Sequence, residues 1–177
     1  MTSLAAFTVL VVLVGVERLA ELVVSKRNAA WSFAHGGVET GFSHYPPMVV
    51  LHTGLLVGAL VEAYVREPHV PSALAWSMVL VVVLSQALRW WCIATLGRQW
   101  NTRVIVVPGL APVRRGPYAV LPHPNYVAVV AEGIALPLVH ACWITAVVFT
   151  VLNAVLLRAR IRVENAALAT LAEPTSA

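Results

Sequence analysis

Charge is scarce in this chain. Of its 177 residues only 11% are charged, while 59% are hydrophobic and mean hydropathy is +0.80. Soluble domains carry about 25% charged residues. A water-exposed globule is therefore excluded, and the long apolar runs indicate an integral membrane protein. Aspartate is missing altogether, and the spacing of His35, His44 and His52 matches no compact ligand motif, so no metal site is expected. Cysteine is limited to Cys92 and Cys142, both in or beside apolar runs, which reads as buried thiols. No G-x-G-x-x-G follows a strand, and neither a Walker sequence nor G-x-S-x-G occurs. Any nucleotide cofactor must then be held by something other than a Rossmann domain. Repeats, low-complexity tracts and Gly/Ser linkers are lacking, and the length suits one domain over 1–177. The opening "MTSLAAFTVLVVLVGVERLAELVV" has no basic n-region, and its apolar run carries Glu17, Arg18 and Glu21. It reads as a retained first span and not as a cleaved signal peptide.

What is present is a series of spans. About 20 apolar residues cross a bilayer, and five segments approach that length: 4–24, 48–65, 72–96, 124–139 and 142–158. The last two, joined by His140 and Ala141, predict a tight helical hairpin in which Pro137 bends or ends the first arm. The expected fold is all-α, a bundle of about five transmembrane helices. With the N-terminus outside, nine of the twelve Lys and Arg residues fall on the cytoplasmic side, which predicts N-out, C-in. The net charge of +4 is then topological, and no nucleic-acid partner is expected. The loops 26–47 and 97–122 share the inner face, so chemistry is expected there, in a multi-pass protein of the cell membrane. The tail "EPTSA" reads as disordered.

Four constellations stand out. In "RRGPYAVLPHPNYVAVVAEGIALPL" (114–138), Pro124 suits a first helical turn. His123 then caps a helix end whose free N–H groups attract anions. Asn125 and Glu132, seven apart, share a face, and an acid at that depth must be paired or face a polar cavity. In "LLRARIRVENAAL" (156–168), Arg160 and Glu164 are four apart on one face. In "GVERLAELVVSKRNAAW", Glu17 and Glu21 call for a structural partner such as Arg89 or Arg158, or else for a role in the site. In "GGVETGFSHYPPMVVLH", His35, His44, Tyr45 and His52 lie near the membrane edge. Trp31, Trp90, Trp91 and Trp100 gather at the inner interface.

"GPYAVLPHPNYVAVV", a hairpin and then "RARIRVENAAL" together resemble the isoprenylcysteine carboxyl methyltransferase family. Its pattern is roughly G-P-Y-x-x-x-R-H-P-x-Y, a hairpin, then R-x-R-x-x-x-E-E. "LGRQWNTRVIVVPG" (96–109) resembles the segment that precedes it. The N-terminal part looks like a bacterial subgroup that methylates long-chain polyketides such as alkylpyrones and alkylresorcinols. Pro122 stands where the family usually has arginine, and Asn165 where a second glutamate is usual, which leaves Glu164 as the acid.

The resemblance implies a membrane enzyme that uses S-adenosylmethionine, with its cofactor-binding half at about 96–172. Tyr118, His123, Pro124, Asn125, Tyr126 and Glu164 match the cofactor-binding positions. Arg160 and Glu164 match the catalytic ones, and His35 and His44 are further candidates for a base. Glu17, Tyr45, Trp100 and Glu132 are candidates for contact with the acceptor. The expected acceptor is lipophilic, reached from the surrounding membrane lipid: a long-chain polyketide hydroxyl, or alternatively an isoprenylcysteine-like carboxylate. From another class, a small transporter or scaffold would use Glu17, Glu62 and Glu132 as a path through the bilayer.

Overall fold

A computed structural model describes residues 3–170; the "EPTSA" tail lies outside them. Five helices and one small ribbon make up the fold: α1 Leu4–Ala34, β1 Val38–Thr40, α2 Tyr45–Arg66, α3 Ser72–Leu96, β2 Val104–Val106, α4 Pro124–Leu138 and α5 Trp143–Thr170.

The Ser3 hydroxyl accepts from the Ala6 N–H and starts α1. Its buried residues, Phe7, Val11, Val14, Glu21, Ser25, Ala29 and Ser32, recur at three, four or seven and so form one face. That face changes from apolar to polar at Glu21. The helix runs ten residues past the expected end of the first span, because nothing between Val16 and His35 breaks it; Gly36, at φ 76°, does. Pro46 and Pro47 open α2, where their missing N–H groups cost nothing. The core joins Phe7, Val11 and Val14 to Ala59, Ala63, Val82, Leu136 and Val139.

The expected hairpin forms. Pro137 lies in the last turn of α4, and Ala141 turns the chain at a positive φ of 52°. Glu62 of α2 then caps α5: its carboxylate accepts from the Ile144 N–H (3.1 Å) and from the N–H and hydroxyl of Thr145 (2.8 Å each). Acids are favoured at such an end. At the neighbouring contact Gly133 admits the Phe149 ring, since a Cβ there would lie 2.0 Å from it.

Among the described residues three helices are long and apolar enough to cross a membrane: Phe42–Arg66, Ser72–Gln99 and Trp143–Ala169. The other two expected spans differ for physical reasons. Glu17, Arg18 and Glu21 interrupt the apolar run of α1. The fifteen residues of α4 reach about 22 Å at 1.5 Å per residue, short of a hydrocarbon core about 30 Å thick. The sequence reading also missed the ribbon. β1 and β2 pair antiparallel, Val38 with Val106 and Thr40 with Val104, and tie the loop after α1 to the loop after α3.

Candidate functional site

Two kinds of buried polar group lie beneath these loops. The first is a closed charge network. Arg18 binds Glu21 at 2.8 Å and also binds Glu132; Arg89 binds Glu132 at 2.7 Å and lies 3.2 Å from Glu21. Four charges from α1, α3 and α4 cancel in pairs, the condition for keeping ions inside a bundle. Of the two partners proposed for Glu21, the structure selects Arg89. Glu17 instead accepts from the Trp90 indole N–H.

The second kind lines two adjoining cavities. The larger, about 620 Å³, is walled by residues 103–107, Tyr118 and Ala119 of the turn before α4, the first turn of α4, and Arg160, Glu164 and Leu168 of α5. Its volume suits a ligand of cofactor size. The smaller, about 170 Å³, lies between α1, α2, α4 and α5. Its walls are apolar at Leu22, Val49, Leu56, Val129, Leu156 and Leu157, and polar at His44, Tyr45, His52 and the face of Arg18, Glu21 and Arg89. Trp100, Asn101, Asn125, Tyr126 and Arg160 line both.

Arg160 sets that shared wall. Its Nε donates to the Tyr126 hydroxyl at 2.9 Å, and its two terminal nitrogens reach the Thr102 carbonyl and the Met48 sulfur, the latter at 3.1 Å. One guanidinium thus joins α5, α4, α2 and the loop after α3, using its fork of donors in fixed geometry. The loop is also held by Ser25, whose hydroxyl accepts from the Thr102 N–H at 3.0 Å, and by Asn28, which donates to the Trp100 carbonyl at 2.7 Å. Tyr126 donates to Glu164 and stacks on His123. Both ring nitrogens of His123 face acceptors, Asn165 Oδ1 at 3.0 Å and Glu164 Oε1 at 3.5 Å. That is the pattern of an imidazolium, and the Glu164 carboxylate raises the pKa of His123 above its ordinary value against the opposing effect of burial. Burial pushes the Tyr118 phenol up, so it remains a donor.

Within this wall, both polar atoms of the Asn101 side chain and the Oδ1 of Asn125 are buried with no hydrogen-bond partner. His123 makes no side-chain cap on α4, and its carbonyl accepts from the Tyr126 N–H at 3.1 Å. Buried amides without partners are uncommon. Here they lie on the wall between the two cavities.

The candidates from sequence divide clearly. Tyr118, His123, Asn125, Tyr126, Glu164, Arg160 and Trp100 line the larger cavity, and His44 and Tyr45 the smaller. Pro124 is buried in the first turn of α4. His35 stacks on Trp31 and lines neither cavity. Glu17 and Glu132 line neither, since their carboxylates are held by Trp90 and by the two arginines. Sequence reasoning missed Asn101, whose signal was the polar triplet Asn101-Thr102-Arg103 beside a tryptophan. It also passed over His52 as a site residue.

The profile of the isoprenylcysteine carboxyl methyltransferase family matches residues 78–170, just over half of the chain. YpbQ, an uncharacterized protein of Bacillus subtilis (strain 168), is 37% identical over 163 residues, covering 92% of this chain and 96% of its own. The chain belongs to the isoprenylcysteine carboxyl methyltransferase family. No solved structure matches it. Membership and the three apolar helices make it a membrane methyltransferase, and methyltransferases of this family use S-adenosylmethionine in general. The matched segment contains the α3 end, the loop, α4 and α5, which supply most of the larger cavity.

Proposed function

We propose that this protein transfers a methyl group from S-adenosylmethionine to a hydroxyl of a lipophilic acceptor, such as a long-chain polyketide. The reaction would occur at the cytoplasmic edge of the cell membrane, with five helices crossing or entering the bilayer in the N-out, C-in sense. The observation that carries this reading is the pair of cavities sharing one wall of polar residues. The residues of the larger cavity fit the donor. The unpartnered Asn101 amide offers a donor and an acceptor and the Asn125 Oδ1 a second acceptor, the α4 end suits a carboxylate, and Glu164 suits an ammonium group. When bound, the donor supplies a sulfonium methyl group open to in-line displacement. The chain's own residues then need to position the partners and exclude water, and Arg160, Tyr126 and Trp100 are the groups set between the chambers.

A hydroxyl acceptor is favoured over a carboxylate by the state of the arginines that line the smaller cavity. A carboxylate calls for an unpaired cation to orient it. Arg18 and Arg89 are neutralised by Glu21 and Glu132, and Arg160 is engaged with Tyr126, Thr102 and Met48. A transport path through Glu17, Glu62 and Glu132 lacks free carboxylates, since each is bound in place.

The test uses the purified protein in lipid nanodiscs with methyl-labelled S-adenosylmethionine. An alkylresorcinol or alkylpyrone should yield a labelled, organic-soluble product, and calorimetry should register donor binding. Methylation of an isoprenylcysteine analogue with none of the hydroxyl acceptors would transfer the reading to carboxyl chemistry. Absence of donor binding would end it.

A further inference from the structure

His52 belongs to neither the charge network nor the Arg160 clamp, yet it lines the smaller cavity. Its Nδ1 lies 2.9 Å from the Met48 carbonyl one helical turn earlier. A carbonyl oxygen only accepts, so in the neutral ring Nδ1 carries the proton and Nε2 keeps its lone pair. Among the described residues Nε2 has no hydrogen-bond partner. The ring is held from the side by the edge of Phe149, with centroids 5.3 Å apart and planes at 85°. Phe149 is itself seated against Gly133. Tautomer and orientation are thus both fixed, the arrangement a proton acceptor needs.

We propose that His52 Nε2 takes the proton from the acceptor hydroxyl, an assignment that rests on the hydroxyl-methylating reading given above. The O–H bond breaks toward Nε2 and leaves an imidazolium. The oxygen–methyl bond forms as the methyl–sulfur bond of the sulfonium donor breaks, and the electron pair stays on a neutral thioether sulfur. The imidazolium then returns its proton to water. Other titratable groups around the cavity are less suited. Tyr45 is itself a weak acid. Arg18, Glu21 and Arg89 are held in ion pairs with one another and with Glu132. His44 has the same tautomer through the Gly41 carbonyl, but at 3.2 Å and on the 3₁₀ turn at the rim, where it also lines a neighbouring small cavity.

The experiment compares the unaltered protein with His52→Gln and His44→Gln on alkylphenols of graded acidity. With His52→Gln the rate should fall by about a hundredfold for the least acidic phenols, the lower end of what general-base catalysis contributes. It should recover as the phenol becomes acidic enough to ionise unaided. Donor affinity should be unchanged. Without donor, a long-chain nitrophenol buffered near its own pKa should show more phenolate absorbance bound to the unaltered protein than to His52→Gln. If His52→Gln does not fold, judged by thermal unfolding and donor binding, His52→Asn takes its place. A loss that is even across the series, no loss at all, or an acidity-dependent loss in His44→Gln would overturn the assignment while leaving the methyltransferase reading intact. No transfer to any phenol by the unaltered protein would remove the hydroxyl reading and the assignment together.

Discussion

The two buried polar clusters of this molecule lie side by side but are built on opposite rules. In the network of Arg18, Glu21, Arg89 and Glu132 every charge faces an opposite charge from another helix. Along the shared cavity wall, Asn101 and Asn125 are neutral, and both amide atoms of Asn101 and the Oδ1 of Asn125 go unbonded. In the first cluster each charge is balanced within the protein, although Arg89 Nε and Glu21 Oε1, 3.2 Å apart, make no hydrogen bond. The second leaves hydrogen-bonding capacity unmet. Buried charge alone therefore does not locate a site; neutral amides with unmet hydrogen-bonding capacity on the wall between two cavities point to one.

The comparison breaks most readily at Glu132. Replacing it with Gln leaves two buried guanidinium groups facing Glu21 alone, and loss of one partner from a buried pair costs about 3–5 kcal/mol. Thermal unfolding in nanodiscs should show that loss; an unchanged midpoint would mean that the network does not hold the helices. The opposite pattern is expected on the shared wall. Asn101→Ala or Asn125→Ala removes no internal hydrogen bond, so the unfolding midpoint should hold or rise slightly. Affinity for S-adenosylmethionine should weaken by up to about tenfold for each, the equivalent of one hydrogen bond, as titration calorimetry would measure. A fall in stability without a change in affinity would class these amides with the scaffold.

The smallest effect concerns His123. Folding raises its pKa through the Glu164 carboxylate. Its contribution to stability is therefore fully present below the ordinary value of 6.5 and is lost as pH rises through the higher folded value. The difference in unfolding midpoint between the unaltered protein and His123→Gln should be largest in mildly acidic buffer and shrink toward alkaline pH. A gap that widens with pH would contradict the Glu164 pairing.

Local patterns made much of this legible in the sequence. Pro124 after His123 marked the α4 start, Pro137 marked its end, and four-residue spacing placed Arg160 with Glu164. Those signals depend on helix periodicity, which a sequence displays directly. The remainder depends on which faces meet. Glu132 read as a candidate acceptor contact because its depth was evident while its partners, 114 and 43 residues away, were not. Asn101 lies in an irregular loop whose shape comes from Ser25 and Asn28 of a distant helix. The ribbon escaped notice because three-residue strands carry too little alternation to register. His35 and His44 looked equivalent in sequence, and a turn at Gly41 separates them into one outside and one inside the smaller cavity.

The helix α5 is continuous from Trp143 to Thr170, and it gives Asn153 and Leu157 to one chamber, Arg160 to the wall, and Glu164 and Leu168 to the other. The phase of one screw therefore sets the aim of all five side chains. A single residue inserted between Leu157 and Arg160 would rotate everything beyond it by about 100°, swinging the clamp and the acid away while the first chamber stayed as built. The molecule can accept changes of side chain along this rod far more easily than a change in its count.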